Sequence, residues 1–234
     1  RMYATGKGDN GSAAAARAIE LDANLAEAHA AKAGVLAAAG DYGAAEKELA
    51  VAMRLDPDSV DVMQEAARLH FMLKRYEKAA ASWDRYATLV ETDIASGGLL
   101  ITCYTALGDR ANVERVAQRT MARAEKAVAT DADNGSAMAT IFSCLLCLGE
   151  AERAKEWARR AVLIDPDNLG MRYNLACDFV VAVHDHDMAL EMLRPVCRNS
   201  GHEQIAWIGS DPDMDPLRDD PRFKERLAEA GARL

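Results

Sequence analysis

Apolar and polar positions alternate with helical spacing in blocks that repeat along the chain. Residues 26–59 and residues 135–168 are two such blocks, each 34 residues long, and they align without a gap. Each block has a glycine before an acidic residue near its middle, then regularly spaced alanines, and an Asp-Pro-Asp sequence near its end. Glycine ends a helix readily, and proline disfavours helix at the residue before it. Each block therefore predicts a hairpin of two closely packed helices.

The rest of the chain keeps the same period with local departures. Lys74-Arg75 and His184-Asp185 stand where other blocks have glycine and an acidic residue, and the block with His184 carries one extra residue. Extra residues in another block predict a second helix extended from about Arg110 to Ala129, and Ser12 is expected to cap the first helix. The predicted units are 1–25 (degenerate), 26–59, 60–93, 94–134, 135–168 and 169–199, followed by a closing segment, 200–234.

Several positions recur together in register, namely Gly40 with Gly149, Ala45 with Ala154, and Ala52 with Ala161. This pattern resembles the tetratricopeptide repeat family. The resemblance implies an all-α fold, a right-handed α-α superhelix of about five helix hairpins with a C-terminal capping segment. It also implies that the first helix of each unit lines a concave groove for a peptide or protein partner.

The groove positions implied by this resemblance are small or mildly polar along most of the array. Such a floor can admit an extended peptide or an amphipathic helix, although small residues also simply permit tight packing of the helices. The candidate partner-groove residues are Asp61, Gln64, Arg68, Phe71, Thr102, Thr105, Ser136, Ser143, Tyr173 and Cys177.

One subfamily of these repeats holds the terminal carboxylate of a chaperone tail with lysine, asparagine and arginine from three consecutive first helices. The matching positions here are Ala30, Gly34, Glu65, Ala95 and Leu99. None of these side chains can bind a carboxylate. The sequence therefore predicts that the chain does not bind chaperone C-terminal tails.

Composition and charge argue against several further classes of function. The formal net charge is −9, which argues against a general nucleic-acid binder and against docking on anionic lipid, because both need a basic face. Five cysteines without a disulfide framework predict a reducing compartment, and we expect the cytoplasm. No apolar run is long enough for a membrane span. A chain that begins at Arg1 is expected to be part of a longer protein.

Two motifs match functional patterns by letter and lack the context that those patterns need. Residues 6–11 read G-x-G-x-x-G, but no predicted strand precedes them, as a dinucleotide site requires. Cys144 and Cys147 have C-x-x-C spacing within a predicted helix, without the second ligand pair of a zinc site. A turn and a packed helix are the simpler interpretations.

Two further groups resemble metal sites. Residues 184–187 alternate histidine and aspartate, yet neighbouring residues of a turn diverge and rarely bind one ion. Asp211, Asp213 and Asp215 have the spacing that begins a calcium loop, but Pro216 stands where glycine is needed and Arg222 where glutamate is needed. We therefore expect no catalytic, cofactor or metal site, and we expect that the chain is not an enzyme.

The closing segment, with Trp207 and the string DPDMDPLRDDPRF at residues 211–223, resembles the end of large bacterial signalling proteins. In those proteins a repeat array follows an adenylate-cyclase, protein-kinase or winged-helix domain. The expected function is a non-catalytic protein-interaction module that regulates such a protein. Two alternatives remain open, namely a small-molecule sensor that controls a missing output domain, and a module that forms a homodimer.

Overall fold

The computed structural model describes residues 11–233, apart from the side chains of residues 202, 203, 210 and 212. Over these residues the chain is all-α, as predicted, and forms no strand. The α-helices are α1 (Ser12–Leu21), α2 (Ala26–Ala38), α3 (Tyr42–Leu55), α4 (Val60–Met72), α5 (Tyr76–Leu89), α6 (Ala95–Ala106), α7 (Arg110–Thr130), α8 (Gly135–Cys147), α9 (Ala151–Ile164), α10 (Leu169–Asp178), α11 (His186–Asn199), α12 (His202–Ser210) and α13 (Pro221–Arg233).

The turns between paired helices follow the glycine signal. Gly40, Gly108 and Gly149 have φ values of 82°, 70° and 79°, a left-handed conformation that glycine adopts without a steric penalty. After the first of these turns the Asp41 carboxylate accepts a 3.0 Å hydrogen bond from the backbone amide of Ala44. The Gly-Asp pair thus ends α2 and starts α3, as the sequence predicts.

Two turns adopt the same left-handed conformation without glycine. Lys74 has a φ of 55° and His184 a φ of 58°. A side chain in this conformation brings Cβ close to the following carbonyl oxygen. The fold therefore requires, at these two positions, a backbone conformation that their own residue types disfavour.

The recurring alanines lie where helices approach most closely. Ala45, Ala52, Ala154 and Ala161 are completely buried. Ala45 and Ala52 belong to a core that alanines of α2, α3 and α4 form together with Leu49, Val62 and Leu69. Larger side chains at these positions would separate the helices, because protein interiors are close-packed.

The chain forms two compact units that divide between Val113 and Glu114, inside α7. In the first unit α2 packs against α3 and α4, and α4 packs against α5. In the second unit α8 packs against α9, and α10 packs against α11 and α8. The closing segment belongs to the second unit, where α13 contacts both α11 and α12. Helix α7 is 21 residues long, at the place where the sequence predicts an extended helix.

The first helix starts differently from the prediction, and the structure shows how the chain accommodates the extra residue before α11. Ser12 is the first helical residue and not the cap, which is Gly11 in a left-handed conformation. After α10 the chain forms a π-helix, Phe179–Val183, before His184. A π-helix holds one more residue than the α-helical turn that it replaces. It therefore accommodates the extra residue of the repeat that contains His184.

No helix of the described residues is both long enough and apolar enough to cross a bilayer.

Candidate functional site

In the first unit, α2 and α4 meet at a contact between a glycine and an ion pair. Arg68 donates a 2.6 Å hydrogen bond to the Glu65 carboxylate. A Cβ atom on Gly34 would lie only 2.7 Å from Glu65 Oε2. Burial raises the pKa of Glu65, and the Arg68 guanidinium opposes this shift. The absence of a side chain at position 34 therefore lets a partly desolvated ion pair lie between two first helices.

The predicted groove residues of α4 and α6 in the first unit reach the protein surface. Asp61 is exposed in the first turn of α4, and Gln64 and Phe71 are half-buried on the same helix. On α6, Thr102 and Thr105 are exposed, and the Thr102 hydroxyl donates to the carbonyl of Gly98 at 3.0 Å. These side chains offer hydrogen-bonding groups and one aromatic ring to an incoming segment.

The predicted groove residues of α8 in the second unit are already engaged by neighbouring side chains. Ser136 is exposed and accepts a 3.1 Å hydrogen bond from the Asn168 side chain. Ser143 is half-buried and donates a 2.5 Å hydrogen bond to the Asp178 carboxylate on α10. These bonds tie the two first helices of this unit together.

The Asp178 carboxyl group has an unusual environment. Burial raises its pKa, the Ser143 hydrogen bond opposes this shift and the nearby Asp213 carboxylate adds to it, so that the pKa is about 6. The carboxyl group is therefore protonated more readily than an exposed aspartate. Asp213 itself has a raised pKa because of burial and because of the neighbouring Asp211 carboxylate.

The remaining two predicted groove residues, Tyr173 and Cys177, contact the closing segment. The Tyr173 hydroxyl donates a hydrogen bond to the Asp211 carboxylate. The Cys177 thiol and one carboxylate oxygen each of Asp211 and Asp213 lie within 4.8 Å of one another. Burial and these two carboxylates raise the pKa of Cys177, so the thiol carries its proton at neutral pH. We interpret the group as a hydrogen-bonded packing contact.

The other motifs have structural roles in the described residues. Burial raises the pKa of Cys144 to about 12 and that of Cys103 to about 11, which keeps both thiols protonated and suits packing. Asp185 caps α11 by accepting from the amide of Met188, and Asp187 pairs with Arg222 at 2.7 Å. In the G-x-G-x-x-G motif of residues 6–11, only Gly11 lies within the described residues.

Sequence reasoning missed the meeting of Tyr173 and Cys177 with Asp211 and Asp213. The sequence predicts that the first two residues lie in an open groove, and it offers the second two only as part of an incomplete calcium loop. A signal was present in the closing segment, because Met214 and Leu217 are apolar residues in an otherwise acidic string and both are fully buried. Only the packing of the segment shows where these side chains insert.

The comparisons with known proteins address the fold. Residues 36–87 match the family model described as a tetratricopeptide repeat. The fold is that of tetratricopeptide-repeat proteins. The comparison with curated proteins finds no match. Proteins of this fold generally serve as non-catalytic modules for protein–protein interaction.

Three solved structures illustrate the similarity. TTC0263, a tetratricopeptide protein from Thermus thermophilus, is 17% identical, with a TM-score of 0.52, 89% of this chain covered and 100% of that chain. Pseudomonas aeruginosa pilF is 16% identical, with a TM-score of 0.56 and coverages of 93% and 88%. YrrB, described as having an unusual peptide-binding site, is 18% identical, with a TM-score of 0.51 and coverages of 82% and 95%. At these identities the similarity concerns the fold alone.

Proposed function

We propose that this chain is a non-catalytic interaction module that binds an extended peptide segment on the first helices of its first unit. The observation that carries the proposal is the contact of Gly34 with the Glu65–Arg68 ion pair. The contact leaves a shallow polar floor between α2 and α4 instead of a ridge of large side chains. The peptide-binding site named for YrrB, a protein of the same fold, supports the choice of partner.

Charge and exposure define what this floor can bind. The Arg68 side chain is 40% exposed and the Glu65 side chain 18%, so the guanidinium is the group that an incoming segment reaches first. Thr102 and Thr105 on α6 are exposed and can bond to a peptide backbone. An extended segment with a backbone carbonyl facing Arg68 fits this arrangement.

The proposal excludes a partner that ends in a chaperone-type carboxylate motif. The half-buried Glu65 carboxylate lies at one of the positions that hold the peptide carboxylate in carboxylate-binding members. A second carboxylate there would meet like charge in a site of reduced dielectric constant. A peptide ending in EEVD should therefore show no micromolar binding, and detectable micromolar binding would contradict this part of the proposal.

The proposal also includes a biological context. The array through residue 199 and the closing segment from residue 200 would form a regulatory part of a larger bacterial signalling protein in the cytoplasm. The acidic string at residues 211–223 and Trp207 support this context. A nucleic-acid partner or a membrane surface is not part of the proposal, since the net charge is −9.

A selection of peptides from a random phage-displayed library tests the binding function. We expect enriched peptides to bind the wild-type chain and to lose at least tenfold in affinity when Arg68→Ala is introduced. Arg85→Ala is the matched control, because Arg85 is also a partly exposed arginine paired with a carboxylate, that of Asp58, but lies on the second helix of the same hairpin. Equal losses in both variants would contradict the assigned surface.

Two other outcomes would favour the alternative functions. If no peptide is enriched but calorimetry detects a cytosolic metabolite whose binding Arg68→Ala weakens, the chain is a small-molecule sensor. If sedimentation shows a dimer that Arg68→Ala dissociates, the first-unit surface is a dimer interface. Either result would replace the peptide-binding proposal.

A further inference from the structure

The groove positions of the last hairpin are covered by the chain's own closing segment. Tyr173 and Cys177 on α10 are the positions where the repeat pattern places partner-binding residues. The Tyr173 hydroxyl donates to the Asp211 carboxylate, and the Cys177 thiol lies within 4.8 Å of carboxylate oxygens of Asp211 and Asp213. A short 3-10 helix, Pro212–Leu217, packs against the π-helix that follows α10. The closing segment therefore occupies a surface that the fold otherwise offers to a partner.

Polar contacts fix the path of this segment. Asp211 accepts from the Tyr173 hydroxyl and, through its other oxygen, from the backbone amide of Asp213 at 2.9 Å. Arg218 donates to the Asp211 carbonyl at 3.0 Å and also to the carbonyl of Gly209. These bonds hold the segment in a turn that presents one face to α10 and the π-helix.

Apolar contacts anchor the same segment. Met214 and Leu217 are fully buried, although the residues between them, Asp215 and Pro216, are exposed. Met214 and Leu217 are spaced by three residues, so they lie on one face of the 3-10 helix. Asp211, three residues before Met214, caps the start of this helix. The segment therefore presents one acidic residue followed by two apolar residues. These are the side chains that pack against the surface of the last hairpin.

The contact also carries unfavourable charge. Three carboxyl groups, those of Asp178, Asp211 and Asp213, lie near one another, and the pKa values of Asp178 and Asp213 are raised. Like charges at short distance oppose one another. The segment is thus held by its apolar anchors and its hydrogen bonds against electrostatic repulsion, and this repulsion lowers the free energy needed to displace it.

We propose that the segment Asp211–Leu217 is an intramolecular ligand that closes the groove at the last hairpin. An outside partner reaches Tyr173 and Cys177 only when this segment leaves. Such a partner shares the chemistry of the segment, namely an acidic residue followed by apolar residues three and six positions later. The inference uses the groove assignment of the proposed function, but it concerns residues of the second unit only.

The first test uses Cys177 as a reporter of segment release. In the full chain, Leu217→Ala removes one apolar anchor without changing any charge near Cys177. We expect iodoacetamide to label Cys177 at least tenfold faster than in the wild type, while labelling of the fully buried Cys144 stays unchanged. Leu193→Ala on α11 is the matched control, because Leu193 is also fully buried but lies outside the closing segment.

The outcomes of this experiment separate local release from general unfolding. If Leu217→Ala leaves the labelling of Cys177 unchanged, the segment does not cover the surface and the proposal is wrong. If Leu217→Ala accelerates the labelling of Cys177 and of Cys144 equally, the segment is an inseparable part of the core and the proposal is also wrong. Leu193→Ala should accelerate both thiols together or neither of them.

The second test supplies the segment from outside. A fluorescent synthetic peptide with the sequence of residues 208–220 should bind the Leu217→Ala chain saturably in an anisotropy titration and bind the wild type at least tenfold more weakly. A peptide with alanine in place of Asp211 should bind the variant more weakly, because Tyr173 then lacks its acceptor. Equal binding to both chains, or binding to neither, would overturn the proposal. Arg68→Ala should alter none of these results, so a failure here is distinct from a failure of the first-unit site.

Discussion

The hydroxyl of Ser143 on α8 donates a 2.5 Å hydrogen bond to the carboxylate of Asp178 on α10. This bond joins two first helices of the second unit at a carboxyl group whose pKa burial raises to about 6. It follows that the stability of this unit depends on pH in a range where most aspartates do not titrate.

Asp178→Asn should weaken this pH dependence. Because the folded-state pKa of Asp178 lies above the ordinary value of 3.8, its favourable contribution is complete below pH 4 and is lost as pH rises through 6. We therefore expect Asp178→Asn to raise the free energy of unfolding at pH 7 by about 1–3 kcal/mol and to change it little at pH 4. Urea denaturation at both pH values measures the difference.

The exposed residue Asp133 provides a control for the effect of charge alone. Asp133→Asn should leave the pH profile as in the wild type. Ser143→Ala removes the hydrogen bond that lowers the pKa of Asp178, so the loss of stability should then extend to higher pH. A wild-type profile that is flat between pH 4 and pH 7 would contradict the assigned environment of Asp178.

Lys74→Gly should stabilise the first unit. Lys74 has a φ of 55° at a turn where Gly40, Gly108 and Gly149 have similar values, and a side chain in this conformation costs about 1 kcal/mol or more. We expect a gain of about 0.5–1 kcal/mol in the free energy of unfolding, because the flexibility of glycine in the unfolded chain offsets part of the relief. Lys74→Ala keeps Cβ and should give no such gain, which thermal denaturation of the two variants can show.

Gly135→Ala should destabilise the second unit. A Cβ atom at position 135 would lie 2.5 Å from Cβ of Asp165 and 3.1 Å from Sδ of Met171, so the start of α8 would have to move. Overpacking of this kind costs about 1–3 kcal/mol. Urea denaturation of the variant measures the loss.

Gly98→Ala is the matched control for this glycine. Gly98 lies within α6, and a Cβ atom there would meet nothing within 4 Å. Because alanine favours helix over glycine, the control should gain about 0.5–1 kcal/mol. If the two substitutions change stability in the same direction, the close contact at Gly135 is not as described.

The buried thiols should react slowly in the folded chain. Cys103 and Cys144 have pKa values raised to about 11 and about 12 by burial, and alkylation requires the thiolate. At pH 8 we expect iodoacetamide to modify both at least a hundredfold more slowly than in urea. Mass spectrometry of tryptic peptides resolves each site, and rapid folded-state labelling of Cys144 would show that the C-x-x-C pair is accessible.

Local sequence signals determined the helices and their pairing. The spacing of glycine, alanine and proline was sufficient for this, because each acts within one or two turns of its own helix. Gly40, Ala45 and Ala52 thus predicted the turn and the close packing of α2 and α3. Ser12 is the first helical residue and not the predicted cap, because Gly11 adopts a left-handed conformation immediately before the helix. The sequence shows the extra residue before α11 but does not predict the π-helix that accommodates it.

The tertiary structure decided which predicted groove residues remain available. Arg68 and Tyr173 are both predicted groove residues. Arg68 pairs with Glu65 beside a glycine and stays partly exposed, whereas Tyr173 bonds to Asp211, which is 38 residues later in the chain. A repeat pattern in the sequence reflects the contacts within one repeat and between adjacent repeats. It carries no information about a non-repeating segment that folds back, because that segment's position depends on the surface left by the completed array.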